Sequence, residues 1–182
     1  IGGVGVLEDA AQAVGLALLP GLDIVLIGET AGHLGQSLWL REIAGREEGA
    51  PPPVDLVAER RNGDFVRRMI LAGRVRACHD VSDGGLLVAV AEMAIAGDVG
   101  AALLPAPGSL SAHAFWFGED QARYVVAAPD GRALVAEAVA AGVPAALLGR
   151  AEGTGLTLPG AFSISVERLR QVHASWLPAY MA

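Results

Sequence analysis

The stretch CHDVSDGGLLVAVAEMAIAG, from Cys78 to Gly97, sets Asp80, Ser82, Asp83, Gly84 and Gly85 just ahead of an almost uncharged run. As chemistry this is a coherent set. Asp80, at the carboxyl end of a buried strand, can hold a hard cation. Ser82 can meet phosphate oxygens, and Gly84 and Gly85 let a ligand approach the amides of a helix N-terminus, which carry partial positive charge. One carboxylate for magnesium, with a hydroxyl and bare amides for phosphate, is the inventory of a magnesium–nucleotide half-site. A plainer use exists. Ser82 and Asp83 fall at or beside an N-cap, where short oxygen side chains bond free amides, and capping accounts for both without a ligand. Asp80 lies too early in the chain to be that cap.

Other chemically able residues are less well placed. Glu119 and Asp120 form a second acidic pair, expected as exposed turn acids. His79 is expected to face the core with its ring nitrogens hydrogen-bonded rather than to act as a general base, and Glu92 to lie at a helix edge. His33, His113 and His173 are scattered without ligand spacing. The segment GGVG near the start lacks the third glycine of a dinucleotide fingerprint and is given no cofactor role. Glu59, Arg60, Arg61, Arg67 and Arg68 read as a solvated helix face. Two aspartates three apart, leading straight into a helix, do not match the spacing of haloacid-dehalogenase-like phosphatases.

The elements that must position these residues follow from the pattern. DIVLIGET, from Asp23, reads as a buried strand after the Pro20-Gly21 turn, and LGQSLWLREIAG as a short helix closed by Gly45. A loop through Pro51–Pro53 leads to a helix over 54–73, weakened by Asn62-Gly63. Strands are expected at RVRACHD, GAALLPA, ARYVVAAP, VPAALLGRAEG and FSISV, and helices at 85–97, GRALVAEAVAAG and the tail from Glu167. SLSAHAFWFGED is mixed. Alternation without a repeat favours α/β or α+β layering and leaves the sheet parallel or mixed.

Composition agrees with a folded domain. Of 182 residues, 53% are hydrophobic and only 18% charged, with 24 glycines and 10 prolines as punctuation. A net charge of -7 without a basic stripe argues against nucleic-acid binding. No run approaches the roughly 18 apolar residues of a membrane span. The single cysteine, Cys78, excludes an internal disulfide and a multi-cysteine zinc site, and reads as a buried structural thiol. No leader pattern is present, and a cytoplasmic location is expected. The opening IGGVGVLED resembles the inside of a strand, so residues 1–20 are expected to be a leading strand or linker from a domain upstream. Residues 21–182 are then the domain proper.

Three stretches carry a family resemblance: HDVSDGGLLVAVAEMAIAG, GETAGHLGQSLWLREI and FGEDQARYVV. Together with IGGVGVLED, and in the chain order GETAGH, HDVSDGG, FGEDQ, they make the chain resemble the final domain of phosphoribosylformylglycinamidine synthases, which is related to the aminoimidazole ribonucleotide (AIR) synthetase C-terminal domain. The resemblance implies an α+β fold, a mixed sheet flanked by helices. It also implies an ATP-dependent carbon–nitrogen ligase that converts formylglycinamide ribonucleotide and ammonia to formylglycinamidine ribonucleotide in purine biosynthesis. Its implied cofactors are ATP or ADP and magnesium. Its implied partners are upstream domains of the same polypeptide and a glutaminase subunit or domain that supplies ammonia.

Carried over by motif, Asp80 matches a magnesium ligand and Ser82 a nucleotide contact, with Gly84 and Gly85 beside them in an auxiliary, structural nucleotide site. Catalytic residues are expected upstream, none in this chain. Relatives such as thiamine-monophosphate kinase and selenophosphate synthetase would share the fold, and a purely scaffolding domain is the non-enzymatic alternative.

Overall fold

The computed structural model describes residues 5–182, so most of the expected leading strand, Ile1–Val4, lies outside the described residues. Gly5 and Val6 belong to no strand. The centre of the molecule is β1 (Asp23–Ile27), a run of alternating partners. Ile24 and Leu26 enter one apolar core, while Val25 and Ile27 enter another, as a period of two requires when both faces of a sheet are covered. The strand β4 (Tyr124–Ala128) repeats the pattern, with Val125 and Ala127 on the first side and Val126 and Ala128 on the second.

Seven strands join in the order β2-β4-β1-β5-β3-β6-β7, where β2 is Ala77–Asp80, β3 Ala101–Leu103, β5 Ala145–Ala151, β6 Gly155–Leu158 and β7 Phe162–Ser165. All neighbours are antiparallel except β3 and β6, so the sheet is mixed and the fold α+β, as the resemblance implied. The strand β6 was not legible in the sequence. Its four residues sit between turn glycines and gain strand character from pairing with β3 on one side and β7 on the other.

Helices cover both faces. On the first lie α3 (Gly85–Gly97), α4 (Ala112–Phe117) and the start of α6 (Val166–Met181); on the second lie α2 (Leu56–Leu71) and α5 (Gly131–Ala140). The helix α3 is apolar almost all round because the sheet, α4 and α6 enclose it, with Leu86, Val90, Met93 and Ala94 buried. The expected weakening at Asn62-Gly63 is absent, and α2 runs through both residues. Asn62 is buried and donates from Nδ2 to the Ala122 carbonyl at 2.8 Å. A Cβ at Gly63 would come within 3.2 Å of the Tyr124 hydroxyl. Both residues are there for packing against β4. The helix expected from Leu34 begins instead at α1 (Leu38–Ala44), because Ser37 caps it through the Leu40 N–H and the preceding residues are used otherwise.

The segment ahead of β1 is held by main chain. Cys78 N–H donates to the Gly15 carbonyl on the free edge of β2, and Leu18 N–H to the Met93 carbonyl at 3.1 Å. Gly97 ends α3 so close to Leu18 that a Cβ would overlap its backbone. Gly97→Ala should therefore lower stability by about 1–3 kcal/mol, the usual cost of overpacking. A thermal melt checks this; an unchanged midpoint would mean that residues 15–19 are not seated on α3.

Candidate functional site

The antiparallel ladder between β2 and β4 ends with Asp80 opposite Tyr124, and Val81 N–H adds one more bond to the Arg123 carbonyl before the chain leaves the sheet. The next four residues form the turn into α3. Asp80, Ser82 and Asp83 are exposed, whereas Gly84 and Gly85 are buried. The expected capping role of Ser82 and Asp83 is corrected here: the N-cap is Gly84, and no side chain of the turn caps the helix. Gly84 and Gly85 both have left-handed backbones, at φ 81° and 74°, which two side-chain-bearing residues in succession would resist. A Cβ at Gly85 would lie 2.6 Å from the Gly118 carbonyl oxygen. What approaches this glycine is the chain's own backbone between α4 and β4.

That backbone carries Glu119 and Asp120, and the expectation of exposed turn acids is also corrected. Asp120 is buried, with one carboxylate oxygen accepting from Gly32 N–H at 2.9 Å and the other from His33 N–H at 3.2 Å. Glu119 is half-buried, and its Oε1 accepts from both Leu38 N–H, in the first turn of α1, and Gly84 N–H, each at 2.8 Å. The Gly84 amide, read from the sequence as bare, is thus already bonded, and the Gly85 N–H donates to the Ser82 carbonyl.

Behind the two acids lies Arg123, fully buried. Its Nε donates to the Asp120 carbonyl at 2.9 Å, one terminal nitrogen to the Gly118 carbonyl at 2.6 Å and the other to Thr30 Oγ1 at 3.1 Å. Burial pushes this guanidinium below its ordinary pKa, opposed by the Asp120 and Glu119 carboxylates. Gly28–Ser37, His79–Gly85 and Phe117–Arg123 therefore form one hydrogen-bonded cluster. Sequence reasoning passed over Arg123; the signal was a lone cation in the first positions of an otherwise apolar strand.

His79 lies on the α3 side of β2 at the rim of the core, its Nε2 2.8 Å from Glu92 Oε2 and its Nδ1 3.3 Å from Asp80 Oδ1. It is satisfied by hydrogen bonds, and Glu92 is its partner across from α3. His33 contacts the Ala50 carbonyl and His113 stacks on Trp39, so these histidines do not converge. Glu59 accepts from the Tyr124 hydroxyl at 2.6 Å while Arg60, Arg61, Arg67 and Arg68 stay exposed. Among the described residues no three His, Cys, Asp or Glu side chains gather as a metal cage. Asp80, with its carboxylate largely in solvent, presents one hard oxygen ligand, which suits an ion such as magnesium that keeps waters and takes phosphate oxygens as its other ligands.

Comparison with known proteins places this geometry. Residues 20–158 match the family model described as AIR synthase related protein, C-terminal domain. The phosphoribosylformylglycinamidine synthase subunit PurL of Acidiphilium cryptum is 62% identical over 182 residues, which is all of this chain and 25% of that protein. Among solved structures, T. maritima PurL complexed with FGAR superposes with a TM-score of 0.72 at 18% identity, covering 88% of this chain and 30% of the other. T. maritima PurL complexed with ATP gives 0.68 at 18% identity, covering 88% and 27%. The chain spans about a quarter of the length of the curated relatives it matches.

Two outcomes follow from the cluster. Arg123→Leu should cost about 2–4 kcal/mol, because it leaves buried carbonyls without their donor and removes the cation beside the Asp120 carboxylate, and Arg123→Lys should recover only part, having no fork to reach three acceptors. Urea midpoints at neutral pH measure both; a wild-type midpoint in Arg123→Leu would overturn the account of the cluster. Cys78 is half-buried, and burial, then Asp80, pushes its thiol up to about 11. Alkylation of the folded protein should stay slow up to about pH 9, where an exposed thiol is largely thiolate. The raised pKa adds stability that is whole below the unfolded thiol's pKa, about 8.5, and fades as pH rises toward 11. Fast alkylation at neutral pH would contradict this.

Proposed function

Because the chain belongs to the family of AIR synthase related C-terminal domains, we propose that it is such a domain of a phosphoribosylformylglycinamidine synthase and that its 80–85 turn is half of a magnesium–nucleotide site. The observation that carries the first part is 62% identity over every residue of the chain to proteins of that name. The second part is supported by the exposed Asp80 and Ser82 side chains, held by buried glycines at the mouth of α3.

In this reading the whole enzyme uses ATP to activate the formamide oxygen of formylglycinamide ribonucleotide, and ammonia then displaces phosphate to give the amidine. Asp80 would offer a carboxylate oxygen to a magnesium ion, which would supply positive charge against the nucleotide phosphates. Ser82 offers its hydroxyl to a phosphate oxygen. Gly84 and Gly85 contribute shape: their left-handed backbones bring both side chains to the same exposed turn. No residue here performs the chemical step, which belongs to domains upstream, and a glutaminase partner or domain delivers the ammonia. The chain ahead of β1 leads from those domains, and its 15–19 stretch, seated on β2 and α3, belongs with 21–182 to the folded unit. Among the described residues no helix is long and apolar enough to cross a membrane, and we place the enzyme in the cytoplasm.

The test is a thermal melt of the full polypeptide with and without Mg-ADP, with Asp80→Asn beside it. Ligand at about 100 times Kd adds about 2.7 kcal/mol to the form that binds it. A rise in the wild type that is lost or much reduced in Asp80→Asn supports the half-site. An equal rise in both proteins places the nucleotide elsewhere, and no rise in either favours a scaffolding domain.

A further inference from the structure

Glu119 stands apart from the residues assigned above, because one oxygen of its carboxylate serves two segments at once. Leu38 N–H comes from 81 positions away and Gly84 N–H from 35, and both reach Oε1 at 2.8 Å. Its carrier loop is itself immobilised. Glu119 N–H donates to the His33 carbonyl, Asp120 holds the amides of Gly32 and His33, and Arg123 ties the Gly118 and Asp120 carbonyls to Thr30. A charged acceptor makes bonds about twice as strong as a neutral one, and here both donors lie at helix starts, where negative charge is favoured.

We propose that Glu119 is a positioning residue for the 80–85 turn, fixing Gly84, and through it Ser82 and Asp80, against the Gly28–Ser37 loop. The proposal rests on the nucleotide reading of that turn. Nothing else in the turn can do this work: Ser82 and Asp83 side chains make no cap, and the two glycines have no side chains to anchor. Without Glu119 the 82–85 stretch keeps its Gly85–Ser82 main-chain bond, and the turn is otherwise tied at its start, by the Asp80–Tyr124 pairing, the Asp80–His79 contact and the Val81 N–H bond to the Arg123 carbonyl. The carboxylate thus couples the two motifs, and its Oε1 is the hydrogen-bonded link between them, beside the packing of the Gly118 backbone on Gly85.

The experiment uses the full polypeptide with two variants that separate reach from charge. Glu119→Asp keeps the charge but is one methylene short; Glu119→Gln keeps the reach and loses the charge. Asp55→Ala, which removes the cap of α2 far from the turn, controls for plain helix-cap loss. Hydrogen exchange of peptides covering 34–40 and 81–88 should accelerate together, about tenfold in Glu119→Asp and about threefold in Glu119→Gln, with Kd for Mg-ADP weakened in step. Asp55→Ala should change neither.

Acceleration in only one of the two peptides, or in neither, overturns the coupling. Faster exchange in both with a wild-type Kd, where Asp80→Asn has lost affinity, overturns positioning. A wild-type Kd in Asp80→Asn, with both peptides accelerated, instead overturns the nucleotide reading and leaves the coupling standing. Should Glu119→Asp fail to fold, Glu119→Gln carries the same readings alone.

Discussion

The arrangement depends on a guanidinium with no access to water. Burying Arg123 is costly unless every N–H it points inward finds an acceptor, and the chain meets that demand with two main-chain carbonyls and a threonine hydroxyl. Those acceptors belong to the loop before β4 and the loop after β1. To satisfy one cation, both loops must adopt fixed paths, and Gly118 must lie against Gly32 and Ala114 with no room for a side chain. The ordered position of Glu119 and Asp120 is a consequence, and the turn into α3 is fixed in its turn by Glu119.

The carboxylates of this region divide by what surrounds them. Asp120 and Glu119 are consumed by main-chain amides and are structural anions. Asp80 is left largely in solvent with only a long contact to His79, which is the condition for exchanging ligands. Residue type alone does not separate these cases, since all are acids beside glycine-rich turns. Their neighbours in space do, and those neighbours arrive from distant parts of the chain.

That division explains what could be read in the sequence. The strands β1 and β4 were legible because a sheet covered on both faces calls for uninterrupted apolar runs, here Ile24–Ile27 and Val125–Ala128. The helix α3 was legible because, Glu92 aside, it is apolar and starts at a pair of glycines. Asn62-Gly63 misled because a buried amide and a missing Cβ look like a break until β4 is seen beside them. The cap of α3 was misassigned because Ser82 and Asp83 are the right types in the right place, while the residue that bonds Gly84 lies 35 positions on. The strand β6 had too few residues to show a period of its own.

The central position of β1 bears on how the chain is made. Among the described residues it is the first strand of the sheet to be synthesised, yet its partners β4 and β5 are the fourth and fifth of seven, and Asp23 meets Gly131 and Arg150 from 108 and 127 positions away. An uninterrupted Ile-Val-Leu-Ile segment must therefore wait, unpaired on both edges, while most of the domain leaves the ribosome. Non-local pairing of this kind is slow and leaves aggregation-prone surface exposed. The nascent domain should depend on chaperone protection until β5 is available, after which the sheet can close around β1 in a single cooperative step.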